Sequence, residues 1–402
     1  MRLRAWTPLA MTVLLAACCG CAGAPAPLLD TGFEANPTAG GWTKIDPGRA
    51  EFAGAWTDAG SQEGAHGILV ENGSWRSPSL PVTPLQYYKL RLRYRAPAAR
   101  AMVGALFSDA DGKPLASDDY TGVDPSSCWR EAEFCFRARF DAARVSVEFR
   151  SDGNGTLQVG HVRVTPCSRA EAARWADSVY AAMPRVKCDP PADRFSLLPR
   201  TSQILRERGR LRVVLLGDSI VNDTANSAFD VLLERMCPGL RVETIASVRG
   251  ATGCAYYAEE GRVKEFVLRY EPDLVLIGGI SNQYDVEPVR SVVRQIRAGG
   301  NADVLVMTGA VANWDKMLRD RVYYERIPRA EALASMQAYG PALEEMARKE
   351  GAAFLDTWSI WSEYVRSNGL LEDWLRRDST HANARGKQAV ARMLLCRLRP
   401  ER

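Results

Sequence analysis

After Gly209 the chain alternates short apolar runs with amphipathic stretches five times, and this repeat limits the possible fold more than any other feature. The runs LRVVLLG from Leu211, RVETIAS from Arg241, DLVLIGG from Asp273, DVLVMTG from Asp303 and AAFLDT from Ala352 read as strands. Helical patterns lie at about Thr224 to Met236, Val263 to Tyr270, Val286 to Arg297, Pro328 to Glu350 and Ala384 to Leu398. Strands that each lead into a helix predict a parallel sheet covered on both faces. Polar chemistry in such sheets gathers beyond the carboxyl ends of the strands.

The preceding region is built differently. Between about Leu28 and Thr165, runs such as YYKLRLRYRA from Tyr87, EAEFCFRARF from Glu131 and VSVEFRS from Val145 alternate apolar and polar residues. Turn clusters at Asp109 to Gly112 and Ser151 to Gly155 separate them, which predicts an antiparallel β-sandwich over residues 28–166. The opening LLDTGFEANPTAGGW resembles the first strand of the jelly-roll modules that accompany secreted carbohydrate-active enzymes. Trp42, Trp56, Trp75 and Trp129 suit either a sandwich core or a sugar-stacking platform, with the core favoured for each. A capped helix beginning at Ser168 and the proline-rich Asp189-Pro190-Pro191 mark a connector over 167–208, so the α/β domain spans 209–399.

Residues 1–17 combine arginines with an apolar run from Leu9 to Ala17, which is the pattern of a signal peptide. Leu15-Ala16-Ala17-Cys18 resembles a bacterial lipobox, giving a lipid anchor on Cys18 and a tether over 18–27. Cleavage after Ala22-Gly23-Ala24 is the alternative and would release a secreted protein. Export permits disulfides. Beyond the tether lie Cys128, Cys135, Cys167, Cys188, Cys237, Cys254 and Cys396, an odd number that leaves at least one thiol outside any intramolecular pairing. They contain no CxxC pair and His381 is the only histidine after His161, so no metal site is expected, and no cofactor is expected either. The 52 basic and 48 acidic residues nearly balance, against a nucleic-acid partner.

The first strand of the α/β region ends in Gly217-Asp218-Ser219, which sets a serine at a strand-to-helix turn. Asp218 and Ser219 also read simply as helix caps. A serine nucleophile needs a base, and only three histidines exist. His66 and His161 belong to the sandwich, so His381 is the one imidazole available to the α/β domain. Asp378 stands three residues before it, close enough to orient the ring by its Nδ1–H and leave Nε2 for the serine. Donors for an oxyanion are sought after the next strands: the loop holding Gly250, and Gly278-Gly279-Ile280-Ser281-Asn282, whose amide stays neutral. Both loops read equally well as ordinary turns.

In order, Ser219 in Gly-Asp-Ser, Gly250, Asn282 and Asp378-x-x-His381 resemble the SGNH, or GDSL, hydrolase family over about residues 209 to 399. The resemblance implies a three-layer, flavodoxin-like α/β/α fold with a parallel five-stranded sheet. It implies Ser219 as nucleophile and first oxyanion donor, Gly250 and Asn282 as further donors, His381 as base and Asp378 as its orienter. The third block departs from the family's Gly-x-Asn-Asp, since Asn282 stands one place late and Ser281 or Gln283 are substitutes. The expected activity is that of an exported serine esterase removing O-acetyl groups from a polysaccharide. A lipolytic or aryl esterase, an O-acetyltransferase and a non-catalytic glycan-binding lipoprotein are the alternatives. Arg376, Arg377 and Arg385 near His381 are expected to be solvated surface residues, with an acidic glycan as the less favoured reading.

Overall fold

The computed structural model describes residues 25–45, 54–57, 66–97, 101–310 and 329–400. The expected signal peptide, Cys18 and all but the last residues of the tether lie outside them. No helix among the described residues is long and apolar enough to cross a membrane.

Among the described residues, ten antiparallel strands form the first domain: β1 (Leu29–Thr31), β2 (Thr43–Ile45), β3 (Ala55–Thr57), β4 (Gly67–Arg76), β5 (Leu80–Pro81), β6 (Tyr87–Ala96), β7 (Ala101–Ser108), β8 (Asp119–Gly122), β9 (Ser126–Arg137) and β10 (Arg144–Cys167). Period-two alternation explains β6, where Leu90, Leu92 and Tyr94 enter the sandwich core and the intervening Lys89, Arg91 and Arg93 face the other way. The long β10 holds the domain together. Its first part, Arg144 to Ser151, pairs with β4, β5 and β7, while Thr156 to Cys167 pairs with β4, β1 and β6. A register shift against β4 between Ser151 and Thr156 separates the two parts, as a bulge does where a strand bends. Trp42 and Trp75 are core residues, the former stacked on Phe149 at 6.0 Å. Trp56 is exposed, and its Nε1 donates to the Phe33 carbonyl at 2.9 Å.

The connector begins with α1 (Arg169–Ala181), whose Ser168 and Glu171 form a reciprocal capping box. It continues through α2 (Pro199–Glu207), a helix the proline-rich sequence did not suggest. A disulfide joins Cys188 of the connector to Cys396 near the chain's end, and the other five described cysteines are thiols.

The second domain carries β11 (Arg210–Gly217), α3 (Ser219–Ala225), α4 (Phe229–Met236), β12 (Arg241–Val248), α5 (Cys254–Tyr257), α6 (Arg262–Phe266), β13 (Leu274–Ile277), α7 (Glu287–Gly299), β14 (Asp303–Met307), α8 (Arg329–Lys349), β15 (Ala353–Leu355), α9 (Thr357–Ser367) and α10 (Ala384–Leu398). All strand pairs are parallel, in the order β12-β11-β13-β14-β15. The chain leaves β11 towards β12, then crosses back to β13, so a crevice opens where β11 and β13 end. The single helix expected at 224 to 236 is two, because Ala228 adopts a left-handed conformation between them. The helix expected over 263 to 270 stops at Phe266 and is followed by a 3₁₀ turn at Leu268–Tyr270.

The domains and connector meet on one carboxylate. Asp230 of α4 is fully buried and takes the Tyr87 Oη hydrogen bond at 2.6 Å, while Arg137 of β9 and Arg169 of α1 each approach at 2.8 Å. Burial alone would raise its pKa, but the two guanidinium charges and the phenol outweigh it and hold the group at about 2. Asp230→Asn leaves the buried Arg137 guanidinium without its counter-charge, while Arg169 keeps Glu234, and should cost on the order of 3 kcal/mol in urea unfolding at pH 7. The wild type gains this contribution above about pH 4, the unfolded value, and loses it as pH falls towards 2. A variant as stable as wild type at pH 7 would refute the role of this carboxylate.

Candidate active site

The crevice beyond β11 and β13 is assembled by backbone that only glycine allows. Gly217, the last residue of β11, has φ +152°, and a Cβ there would lie 2.5 Å from the Gly278 carbonyl oxygen. Gly279 has φ +103°, and a Cβ would lie 2.5 Å from the Asp218 carboxylate. This close approach lets Asp218 do more than cap. Its Oδ1 accepts the Ile220 N–H at 2.9 Å, as a helix cap does, while Oδ2 accepts from Ile280 N, Ser281 N and Ser281 Oγ at 2.7, 2.8 and 2.8 Å. The residue before the serine therefore fixes the loop after β13. The motif alone shows only the capping role, since nothing in Gly-Asp-Ser names the partner loop.

Ser219 is the first residue of α3, where a main-chain N–H has no partner within the helix. The structure brings Ser219, His381 and Asp378 into one row. His381 Nε2 lies 2.8 Å from Ser219 Oγ, and Nδ1 lies 2.9 and 3.0 Å from the two Asp378 oxygens. Asp378 Oδ1 also accepts the N–H groups of Thr380 and His381, both at 2.7 Å, so the three-residue spacing becomes a tight turn with the carboxylate at its centre. Neighbours strip water from that carboxylate, which alone would raise its pKa, although the side chain keeps 38% exposure. The bond and charge of His381, then the Arg377 guanidinium and the Thr380 N–H, outweigh this and hold it well below the usual carboxylate range.

Gly250 stands exposed in the loop after β12, where a Cβ would meet nothing within 4 Å. That loop is tied to β11 by Arg249 N, which donates to Gly217 O at 3.0 Å, and by Tyr257 Oη at 2.8 Å to the same oxygen. Asn282 Oδ1 accepts the Cys254 N–H at 2.7 Å, which orients the amide and leaves its NH₂ as a donor. Just after Asn282 the backbone turns through Gln283 and Tyr284, which are both left-handed. Ser281 is spent on Asp218, and Gln283 is exposed. Among the described residues no group of three or more histidine, cysteine, aspartate or glutamate side chains is placed to hold a metal ion.

The arginines depart from expectation. Arg376 is buried, and its guanidinium pairs with Glu372, while Arg377 Nη1 donates to Asp223 Oδ1 at 2.8 Å. Asp223, one turn beyond Ser219 on α3, also accepts the Ala382 N–H at 2.9 Å. It thus ties the nucleophile's helix to the histidine's loop. Lys387 of α10, buried, bonds to Asp119 and at 2.7 Å to the Tyr120 carbonyl, with Asp223 3.9 Å away. Thr121 Oγ1 accepts the Ala384 N–H at 2.9 Å, and Asn222 Nδ2 donates to Asp118 O at 2.7 Å. Strand β8 of the sandwich is therefore a wall of this site, a role for which the sequence carries no signal. Of the arginines only Arg385 behaves nearly as expected, pairing with the exposed Asp124 and lying over the Trp374 ring at 4.9 Å. Between the domains runs a groove of about 320 Å³, bounded by Val123 and Asp124 on one side and by Trp374, Asp378 and the exposed Leu371 on the other.

Residues 215–389 match the model of the GDSL-like Lipase/Acylhydrolase family. No curated protein matches the chain. Solved structures resemble it distantly. A two-domain esterase active on acetylated mannans, crystallised with mannopentaose, is 16% identical with a TM-score of 0.40, over 51% of this chain and 53% of that one. The CBM22-1 xylan-binding domain of Paenibacillus barcinonensis Xyn10C is 15% identical with a TM-score of 0.29, over 36% of this chain and 97% of that one. The enzymatically active domain of bacteriophage CBA120 tailspike protein 4 is 12% identical with a TM-score of 0.28, over 34% of this chain and 20% of that one. The chain thus spans about half the length of the esterase and a fifth of the tailspike chain.

The buried and exposed cations predict opposite outcomes. Lys387→Met takes the bonded cation from the nearly buried Asp119 and one of two cations from the buried Asp223, and should cost about 3 kcal/mol in urea unfolding. Arg385→Ala, which breaks an exposed pair, should cost less than about 1 kcal/mol. Equal effects would refute the distinction drawn between them.

Proposed function

We propose that this chain, whose residues 215–389 match the model of the GDSL-like Lipase/Acylhydrolase family, is a serine esterase working through Ser219, His381 and Asp378. The observation that carries the proposal is the continuous hydrogen-bonded row from Asp378 through His381 to Ser219. His381 Nε2 takes the Ser219 proton as Oγ attacks the ester carbonyl, and Asp378 holds the ring in the tautomer that permits this and offsets the imidazolium charge. The developing oxyanion is met by the N–H groups of Ser219 and Gly250 and by the Asn282 NH₂. The imidazolium then gives its proton to the leaving alcohol, and water activated by the same ring releases the acid.

The substrate we propose is an O-acetylated polysaccharide. Its support is the groove beside the site, walled by the sandwich on one side and by an aromatic, arginine-bearing loop on the other, which suits an extended polar chain better than an aliphatic tail. We further propose that the protein is exported and held to a membrane by lipid on Cys18, a reading supported by the apolar run that leads directly to that cysteine.

Ser219→Ala should lower kcat/KM on a small acetyl ester by at least about 10³-fold while leaving the unfolding transition intact. Retained hydrolysis would remove the mechanism. Acetate release from an acetylated glycan, with no acyl transfer to added acceptor sugar, is the outcome expected of a hydrolase. Transfer to the acceptor would make it an acetyltransferase.

A further inference from the structure

Next to Asn282 lies a small cavity that the mechanism leaves unused. Gly279, Ile280 and Asn282 of the loop after β13 line it together with Thr308, Tyr339 and Trp358. Its volume is about 30 Å³, room for one or two water-sized groups. Location gives this space a meaning. Ile280 and Ser281 are bound through their N–H groups to Asp218, the residue before Ser219, and Asn282 has its Oδ1 fixed by Cys254 with the NH₂ left over. An acyl group on Ser219 whose carbonyl oxygen met that NH₂ would be held by a residue that also lines this cavity.

The lining is apolar and aromatic, and its polar atoms are mostly engaged. Thr308 Oγ1 donates to Asp356 Oδ1 at 2.9 Å and accepts the Trp358 N–H at 2.9 Å. Tyr339 packs edge-on against Tyr284, with ring centroids 5.8 Å apart, and both rings line the cavity. Its Oη is buried without a hydrogen-bond partner of normal geometry among the described residues, although the Asn282 amide lies beside it. Burial drives that phenol upward from its ordinary pKa, so it stays neutral. Tyr339 thus sets a large, uncharged ring against a space of about 30 Å³, no larger than a methyl or ethyl group.

We infer that this cavity is the acyl pocket of the site and that Tyr339 is its specificity-determining residue, limiting the acyl group to acetyl by steric closure. The inference rests on the serine esterase reading above and adds the group that sets chain length. A rigid pocket that lacks room for further methylenes discriminates by about 10- to 200-fold per group.

The test measures kcat/KM for p-nitrophenyl acetate, butyrate and octanoate with the full chain and its Tyr339→Ala, Tyr339→Val and Tyr339→Phe variants. Wild type should favour acetate over butyrate by at least about 10-fold, and the alanine variant should raise the butyrate-to-acetate ratio by at least about 10-fold. Tyr339→Val makes the same comparison if the alanine variant does not fold. Tyr339→Phe, which keeps the ring, should keep the wild-type ratio. A folded alanine or valine variant with an unchanged ratio, a wild type that prefers octanoate, or a phenylalanine variant that shifts as far as alanine would each overturn the assignment. Ser219→Ala separates the two levels: if it abolishes hydrolysis while the ratios stay fixed, the pocket assignment fails and the esterase stands. If it leaves hydrolysis intact, the esterase reading fails first.

Discussion

The site depends on Asp223, a buried carboxylate that performs no chemistry. It sits one turn past Ser219 and receives the Ala382 N–H and the Arg377 guanidinium, so the helix that begins with the serine and the loop that carries His381 share one anchor. A 2.8 Å contact between Ser219 and His381, residues distant in sequence, needs such an anchor, because loops on a sheet edge otherwise drift independently. The charge is affordable in the interior only because cations surround it, and one of them, Lys387, is itself held by the sandwich.

That dependence changes the meaning of the N-terminal domain. A domain attached by a linker would be expected to contribute affinity and little else. Here β8 donates Asp119, the Tyr120 carbonyl and Thr121 to the helix and loop around His381, and Asp230 locks the opposite side of the interface through Arg137, Arg169 and Tyr87. The disulfide between Cys188 and Cys396 closes the connector onto α10, the same helix that carries Lys387. Sandwich, connector and α/β domain thus fold around shared polar contacts, and the crevice at the end of β11 takes its shape from all three.

Much of this architecture was legible in the residues. The five apolar runs became the five parallel strands, because a strand buried on both faces must be apolar throughout. The scarcity of histidine singled out His381, and the short path from Asp378 fixed its partner without knowledge of the fold. The split of the helix after Ser219 was not legible, since Ala228 has no residue signature for a left-handed turn. Arg376 and Arg377 were misread for a related reason: a charged side chain looks solvated until its partner is known, and Asp223 is far away in sequence.

The sequence by itself determined what is local or periodic: the two fold classes, the serine at a strand end, and the aspartate and histidine within one turn. Their physical basis lies in side-chain alternation, capping and short-range hydrogen bonds, which need no distant partner. Only the tertiary structure decided which loops close upon one another: that Asp218 holds the loop of Asn282, that β8 supports the loop of His381, and that Tyr339 lines the cavity beside the amide. Those arrangements arise from long-range packing of elements whose individual patterns are silent about their neighbours. The same carboxylate or phenol is a surface group in one packing and part of the site in another.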